Sequence, residues 1–132
     1  MCHILVVNQG NWPSGWLRGV IELAVLAIAA EGETYGYVLG ARLAEAGLGT
    51  IKGGTLYPIL NRLVDSGALT AEWRQGDGGP GRKFYRMTDE GLARLSLERQ
   101  QWLSFSGRVT SIINPEGHTN QLKNTLPNSS RS

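Results

Sequence analysis

The pattern of apolar and polar positions is most regular near the middle of the chain, from Leu56 onward. Apolar side chains recur there at intervals of three and four residues, which is typical of a helix with one buried face. Proline is tolerated only in the first turns of a helix, so Pro58 indicates a start near Gly53 or Gly54. Gly67 suits the C′ position just beyond the helix, so we expect the helix to end there.

The outer face of this predicted helix is polar. It carries hydroxyl, amide and guanidinium groups, which can hydrogen-bond to base edges and phosphates. The residues concerned are Thr55, Tyr57, Asn61 and Arg62. Lys52 precedes the helix, where backbone N–H groups attract phosphate. The alternative is an amphipathic helix of a helical domain whose outer face has no partner.

Two further helices are predicted before it. Residues from Trp16 to Ala30 are apolar nearly all round and include several alanines, as expected of a buried helix that others approach closely. Thr34 is a good N-cap for a second helix that stops at Gly47. A short link joins this second helix to the central one. The pair therefore predicts a helix-turn-helix.

Beyond the central helix the period changes to two. Ala68 to Gln75 and Arg82 to Met87 predict two strands, and the glycine-rich residues 76–81 predict the turn between them. The hairpin would bring Arg74, Arg82 and Lys83 near a flexible tip. A nucleotide-binding loop is disfavoured, since the Lys-Ser/Thr pair and the following helix are missing.

Thr88 predicts the N-cap of a last helix, with acidic residues in its first turn. A heptad-like apolar stripe runs along this helix. Its members are Leu95, Trp102, Phe105, Val109 and Ile112. The preceding helices and the hairpin already supply a core, so we expect the stripe to pack against the same helix of a second copy. The alternative is that the helix folds back on its own domain.

Composition narrows the function. The chain has 132 residues, of which 41% are hydrophobic, and a net charge of +2, so nucleic-acid binding must depend on where the charges lie. The single cysteine, Cys2, cannot form an internal disulfide, which is compatible with the cytoplasm. The apolar runs are too short to cross a membrane. We expect a soluble protein without metal or cofactor, and no enzyme, because the two histidines lie near opposite ends and no catalytic set is recognisable.

Several motifs together resemble the PadR-type transcriptional regulators. They are Trp16-Leu17-Arg18-Gly19, Gly36-Tyr37-Val38-Leu39, Gly54-Thr55-Leu56-Tyr57-Pro58-Ile59-Leu60-Asn61-Arg62-Leu63 and Gly81-Arg82-Lys83-Phe84-Tyr85-Arg86-Met87-Thr88-Asp89-Glu90-Gly91. The resemblance extends from about Trp16 to Ile113. The chain departs from the pattern at Tyr35, where many relatives have His, and at Val64, where an acidic residue is frequent.

The resemblance implies a homodimer that binds operator DNA, usually as a repressor, and dimerises through the terminal helix. In some members an aromatic residue of that helix helps to form a drug pocket between the subunits, and Trp102 falls in the corresponding helix. A small, flat, apolar effector would fit there, although Trp102 packing as dimer core is the plainer alternative. Tyr37 matches the family's tyrosine after glycine and is a candidate phosphate contact, with a packed aromatic as the alternative.

The predicted fold is mainly α with a small β-hairpin: a winged helix-turn-helix plus a C-terminal dimerisation helix. We expect an N-terminal extension that need not be ordered (1–15), the DNA-binding domain (16–88), the dimerisation helix (89–113) and a disordered tail (114–132). The predicted partners are double-stranded DNA and a second copy of the chain. The predicted DNA contacts are Tyr37, Lys52, Thr55, Tyr57, Asn61, Arg62, Arg82 and Lys83. The alternative function is a winged-helix adaptor that binds proteins instead of specific DNA.

Overall fold

The computed structural model describes residues 12–76 and 79–115. The predictions made for Cys2, for most of the N-terminal extension, for the hairpin tip at 77–78 and for most of the tail lie outside these residues. The described elements are α1 (Ser14–Ala29), β1 (Thr34–Tyr35), α2 (Gly36–Leu43), α3 (Gly53–Asp65), β2 (Leu69–Gly76), β3 (Gly79–Met87) and α4 (Asp89–Ile113). The strands form an antiparallel sheet in the order β1-β3-β2. The mainly α class with a wing is confirmed, and β1 is an addition to the predicted hairpin.

The central helix, α3, follows its sequence pattern closely. Its stripe of Leu56, Ile59, Leu60 and Leu63 is buried against α1, α2 and the sheet. Gly67 has a φ of +88°, and its N–H donates to the Val64 carbonyl. The next N–H, that of Ala68, donates to the Leu63 carbonyl at 2.9 Å, which completes a Schellman motif. The predicted end of the helix is confirmed.

The predicted cap at Thr34 is wrong. Thr34 is a buried residue of strand β1, paired with Tyr85 of β3, and α2 begins at Gly36 without a side-chain cap. Because the ladder to β3 holds the chain just before the helix, the start of α2 does not depend on a capping side chain. After Leu43 the helix widens into a π-type turn, Ala44–Leu48, in which Gly47 has a φ of +100°.

Helix α4 begins as predicted. The Gly91 N–H donates to the Thr88 hydroxyl oxygen at 2.9 Å, and the Thr88 hydroxyl in turn donates to the Gly67 carbonyl oxygen at 2.6 Å. A β-carbon at Gly91 would overlap the Ala68 carbonyl oxygen, so glycine permits this close approach. Leu95 is buried in the winged domain's core. It therefore does not belong to the exposed part of the apolar stripe.

The compact unit that contains the winged domain ends at Ser96, and α4 from Leu97 onward belongs to a second unit. The described part of the second unit is a single helix with exposed apolar side chains. In the described ranges, no helix is both long and apolar enough to cross a membrane.

Candidate nucleic-acid interface

Helix α3 is the second helix of the helix-turn-helix, and we call it the recognition helix. It borders a cleft of about 680 Å³ on the side of the wing. We call this the wing cleft. It is lined by Tyr35, Gly36, Tyr37, Tyr57, Asn61, Trp73, Gly81, Arg82, Lys83 and Tyr85. These side chains are aromatic, amide or cationic, and none of the described lining residues is acidic. The cleft therefore suits an anion that carries flat or apolar groups.

Tyr57 is held in this cleft by two glycines. A β-carbon at Gly36 would lie 2.6 Å from Tyr57 Cζ and would overlap the hydroxyl. At Gly53 it would lie 3.4 Å from the same ring. Because Gly36 lacks a side chain, the end of the Tyr57 ring can lie against the start of α2 while the residue remains partly exposed. The motif glycine at Gly36 thus positions an aromatic residue of the recognition helix.

Tyr85 contributes to the base of the wing cleft and is buried. Burial raises the pKa of its hydroxyl, and the nearby Tyr57 adds to the shift. The cleft is therefore lined by a neutral phenol at this point, and its charge comes from the two basic residues of the wing.

The side chains of Arg82 and Lys83 leave β3 on opposite faces of the sheet, and both residues border the wing cleft. Lys83 is paired across the strands with Trp73, and its Nζ lies 6.0 Å from the centre of that ring. The Arg82 guanidinium lies 4.7 Å from the centre of the Tyr35 ring. Within the described residues, neither cation forms an ion pair with an acidic side chain.

Arg74, which was also predicted near the tip, forms ion pairs with acidic side chains of the protein. Its guanidinium donates to Glu33 at 3.0 Å and to Glu72 at 3.2 Å, and it lies over the Phe84 ring. The hydrogen bond from Arg74 is the main cause that lowers the pKa of Glu33. The charge of Arg74 is therefore neutralised within the protein.

The opposite flank of α3 borders a second cleft, of about 440 Å³, against α1. We call this the α1 cleft. It includes Thr55, Arg62 and Glu22. The Arg62 guanidinium donates to Glu22 Oε1 at 3.1 Å, and the other oxygen of that carboxylate accepts from Arg94 at 3.0 Å. One carboxylate thus joins the recognition helix to the start of α4.

The start of α3 leaves Lys52 exposed. Its carbonyl oxygen accepts the N–H groups of Thr55 and Leu56, each at 2.9 Å. The first N–H groups of a helix have no partner within the helix and favour anions, so this end can face phosphate. Tyr37, on the first turn of α2, is 78% exposed and lines the wing cleft.

The structure thus divides the predicted DNA contacts between two surfaces. The wing cleft brings together Tyr37, Tyr57, Asn61, Arg82 and Lys83, whereas Thr55 and Arg62 line the α1 cleft. Trp73 was not among the predicted contacts. By strand register it shares the face of Ala71 and the buried Tyr85. It is nevertheless 68% exposed. Trp73 and Tyr35 are lining residues that pattern analysis missed.

The second unit carries the rest of the predicted stripe. Trp102, Phe105, Val109 and Ile112 are exposed in the single chain, and the rings of Trp102 and Phe105 lie 6.2 Å apart. Leu97, Leu103 and Ile113 add further exposed apolar surface. So many exposed large apolar side chains on one helix are characteristic of an interaction site. Among the described residues, no group of three or more His, Cys, Asp or Glu could hold a metal ion.

A helix-turn-helix followed by a wing, with an anion-complementary cleft between them, defines a winged helix-turn-helix protein. The model of the transcriptional regulator PadR-like family matches residues 25–97. The chain is 39% identical over 102 residues to the transcriptional regulator Rv3488 of Mycobacterium tuberculosis, covering 77% of this chain and 91% of that protein. The chain belongs to the PadR-like family. It is therefore a DNA-binding transcriptional regulator and not an enzyme.

Solved structures agree with this assignment. A PadR family transcriptional regulator from Eggerthella lenta superposes with a TM-score of 0.69 at 37% identity, over 76% of this chain and 87% of that chain. The Bacillus subtilis PadR, solved in complex with operator DNA, gives a TM-score of 0.54 at 28% identity, over 64% of this chain and 45% of that chain.

Proposed function

We propose that the protein is a cytoplasmic repressor that binds a two-fold symmetric operator as a homodimer. The observation that carries this proposal is the wing cleft, which an amide of the recognition helix and two cations of the wing all border. Asn61 can read a base edge, while Arg82 and Lys83 contact phosphate or the adjacent minor groove. The complex of the Bacillus subtilis relative with operator DNA supports the same role here.

The other predicted contacts extend this surface. Thr55, Tyr57 and Arg62 flank Asn61 on α3, and Tyr37 and Lys52 lie at the starts of α2 and α3. In the proposed complex Tyr37 and Lys52 contact the backbone, and the α3 residues enter or line the major groove. For Arg62 this requires release from Glu22, which holds it at 3.1 Å.

The dimer would form through the exposed apolar stripe of α4. Two recognition helices about 34 Å apart would then contact successive major grooves. Because a two-fold axis would relate the two helices, a symmetric operator is expected. A small, flat, apolar effector that contacts Trp102 between the two terminal helices would release the DNA by changing this spacing. A ligand that binds the free and DNA-bound forms equally would contradict this mode of release.

The test is fluorescence anisotropy with DNA from upstream of the protein's own gene, across a salt series, with unrelated DNA as competitor. We expect specific binding that falls steeply with salt and saturates at two chains per site. Binding to upstream DNA no tighter than to competitor calls for a search of other genomic fragments. If those also fail, the regulator proposal gives way to a protein-binding adaptor.

A further inference from the structure

Trp73 is a large aromatic side chain whose exposure the winged domain itself does not explain. It is 68% exposed, yet it stands on the sheet face that bears the buried Tyr85 and turns toward the recognition helix. Hydration of so much aromatic surface is unfavourable, so burial of this side chain by a partner would be favourable. An exposed tryptophan on the wall of a cationic cleft therefore points to a partner.

The surroundings of Trp73 limit the chemistry of that partner. Lys83 lies directly across the strand pair, and its ammonium group lies over the indole ring, 6.0 Å from the ring centre. Gly81 also borders the cleft and adds no side chain to it. Tyr37 and Asn61 offer polar groups elsewhere in the same cleft. An apolar face next to a cation matches a molecule in which apolar and anionic groups alternate.

We propose that the wing cleft binds the sugar–phosphate backbone of one DNA strand, with the Trp73 ring against a deoxyribose and the Lys83 ammonium on the adjoining phosphate. This inference rests on the proposed function and adds to it an uncharged backbone contact. Deoxyribose presents the same apolar surface whatever base it carries, so the contact is independent of sequence. It releases no counterion, so it is also nearly independent of salt.

The experiment compares four variants with the wild type: Trp73→Ala, Trp73→Phe, Lys83→Ala and the Trp73→Ala/Lys83→Ala double variant. Each is titrated by anisotropy with upstream DNA and with an unrelated duplex of equal length, between about 50 and 200 mM salt. Trp16→Ala is the matched control, because Trp16 is 70% exposed and does not line the wing cleft. Thermal unfolding and the oligomeric state are measured for every variant.

Loss of the indole should weaken binding to both duplexes about tenfold at every salt concentration. Phenylalanine should restore most of this loss. Lys83→Ala should make the salt slope shallower by about 0.9, and the Trp73→Ala loss should persist in the Lys83→Ala background. Trp16→Ala should bind as the wild type does.

The inference is overturned if folded Trp73→Ala binds like the wild type. It is also overturned if its loss disappears in the Lys83→Ala background, because Trp73 would then act only by positioning the lysine. Equal wild-type affinity for both duplexes would show that the upstream DNA lacks the operator and would move the test of the proposed function to other genomic fragments. A tenfold Trp73→Ala loss in that case would still support the backbone contact. Failure of the wild type to bind either duplex would overturn both proposals.

Discussion

The two flanks of α3 have similar residue types in the sequence but different surroundings in the structure. On the wing flank, Asn61 and Tyr57 share a cleft with aromatic and cationic side chains, and none of the cleft's described residues is acidic. On the α1 flank, Arg62 faces Glu22, which neutralises it. The comparison shows that the polar face of a helix is not one surface: acidic groups from other elements decide which part of it is available to an anion.

This difference assigns different roles to the two flanks. On the wing flank, Arg82 and Lys83 can contact DNA without breaking an ion pair among the described residues. On the α1 flank, the ion pair between Arg62 and Glu22 must break first. Because exposed ion pairs are worth only about 0–1 kcal/mol, that exchange is inexpensive but measurable. Substitutions on the two flanks should therefore differ in the size of their effects on binding, and even in the sign.

The largest effect is expected for Asn61→Ala. Removing the amide should reduce discrimination between upstream and unrelated DNA by about 1–3 kcal/mol, while affinity for unrelated DNA changes little. Competition anisotropy with both duplexes measures this difference. Thr55→Ala, on the α1 flank, provides the comparison and should lose less discrimination. An equal loss in the two variants would abolish the contrast between the flanks.

Gly36→Ala should have the next largest effect. The added methyl group must displace the Tyr57 ring, which now occupies that space. Affinity for both duplexes should therefore fall about tenfold, as expected for loss of an aromatic contact to nucleic acid. Gly40→Ala is the matched control on the same helix, since its methyl would lie 3.8 Å from Leu56 Cδ2 in ordinary contact. Normal DNA binding by Gly36→Ala would show that the position of Tyr57 is unimportant.

A smaller effect is expected for Arg82→Ala. Loss of one phosphate contact should make the slope of log affinity against log salt shallower by about 0.9. Arg74, the cross-strand partner of Arg82, is the control because Glu33 and Glu72 already neutralise it. Arg74→Ala should leave the slope nearly unchanged. Similar salt slopes for Arg82→Ala and Arg74→Ala would mean that Glu33 and Glu72 do not prevent Arg74 from contacting DNA.

The features predicted correctly from sequence are those fixed by local signals. The stripe from Leu56 placed α3, Gly67 marked its end, and Thr88 marked the start of α4. Each depends on residues within about one turn of helix or on a single backbone conformation. Such signals also located most of the wing, because alternation and glycine-rich turns are local as well.

The features that were missed depend on residues distant along the chain. Strand β1 exists because residues near 34 meet β3, and a two-residue strand has no detectable period. Trp73 lies on the face of the sheet that bears Tyr85, but whether another element covers it depends on residues distant along the chain, and it is 68% exposed. The pair between Arg62 and Glu22 joins residues 40 positions apart. No local pattern contains that information.

The smallest effect, and the one opposite in sign, is expected for Glu22→Gln. Removing the carboxylate charge releases Arg62, which is 60% exposed and already on the recognition helix. If Arg62 then contacts phosphate, affinity should rise about threefold, within the range of an exposed ion pair, and the salt slope should steepen by about 0.9. The same anisotropy series measures both quantities.

Two further variants make this result specific. Glu31→Gln removes a comparable exposed pair, with Arg42 at 2.9 Å, away from α3, and should leave binding unchanged. In the Glu22→Gln/Arg62→Ala variant the gain should disappear, because the arginine that produces it is absent. Arg94, the other partner of Glu22, is retained there, so a gain that persisted would come from Arg94. Weaker DNA binding by Glu22→Gln would reverse the interpretation: Glu22 would then hold Arg62 in its binding geometry, and the α1 flank would be as ready for DNA as the wing flank.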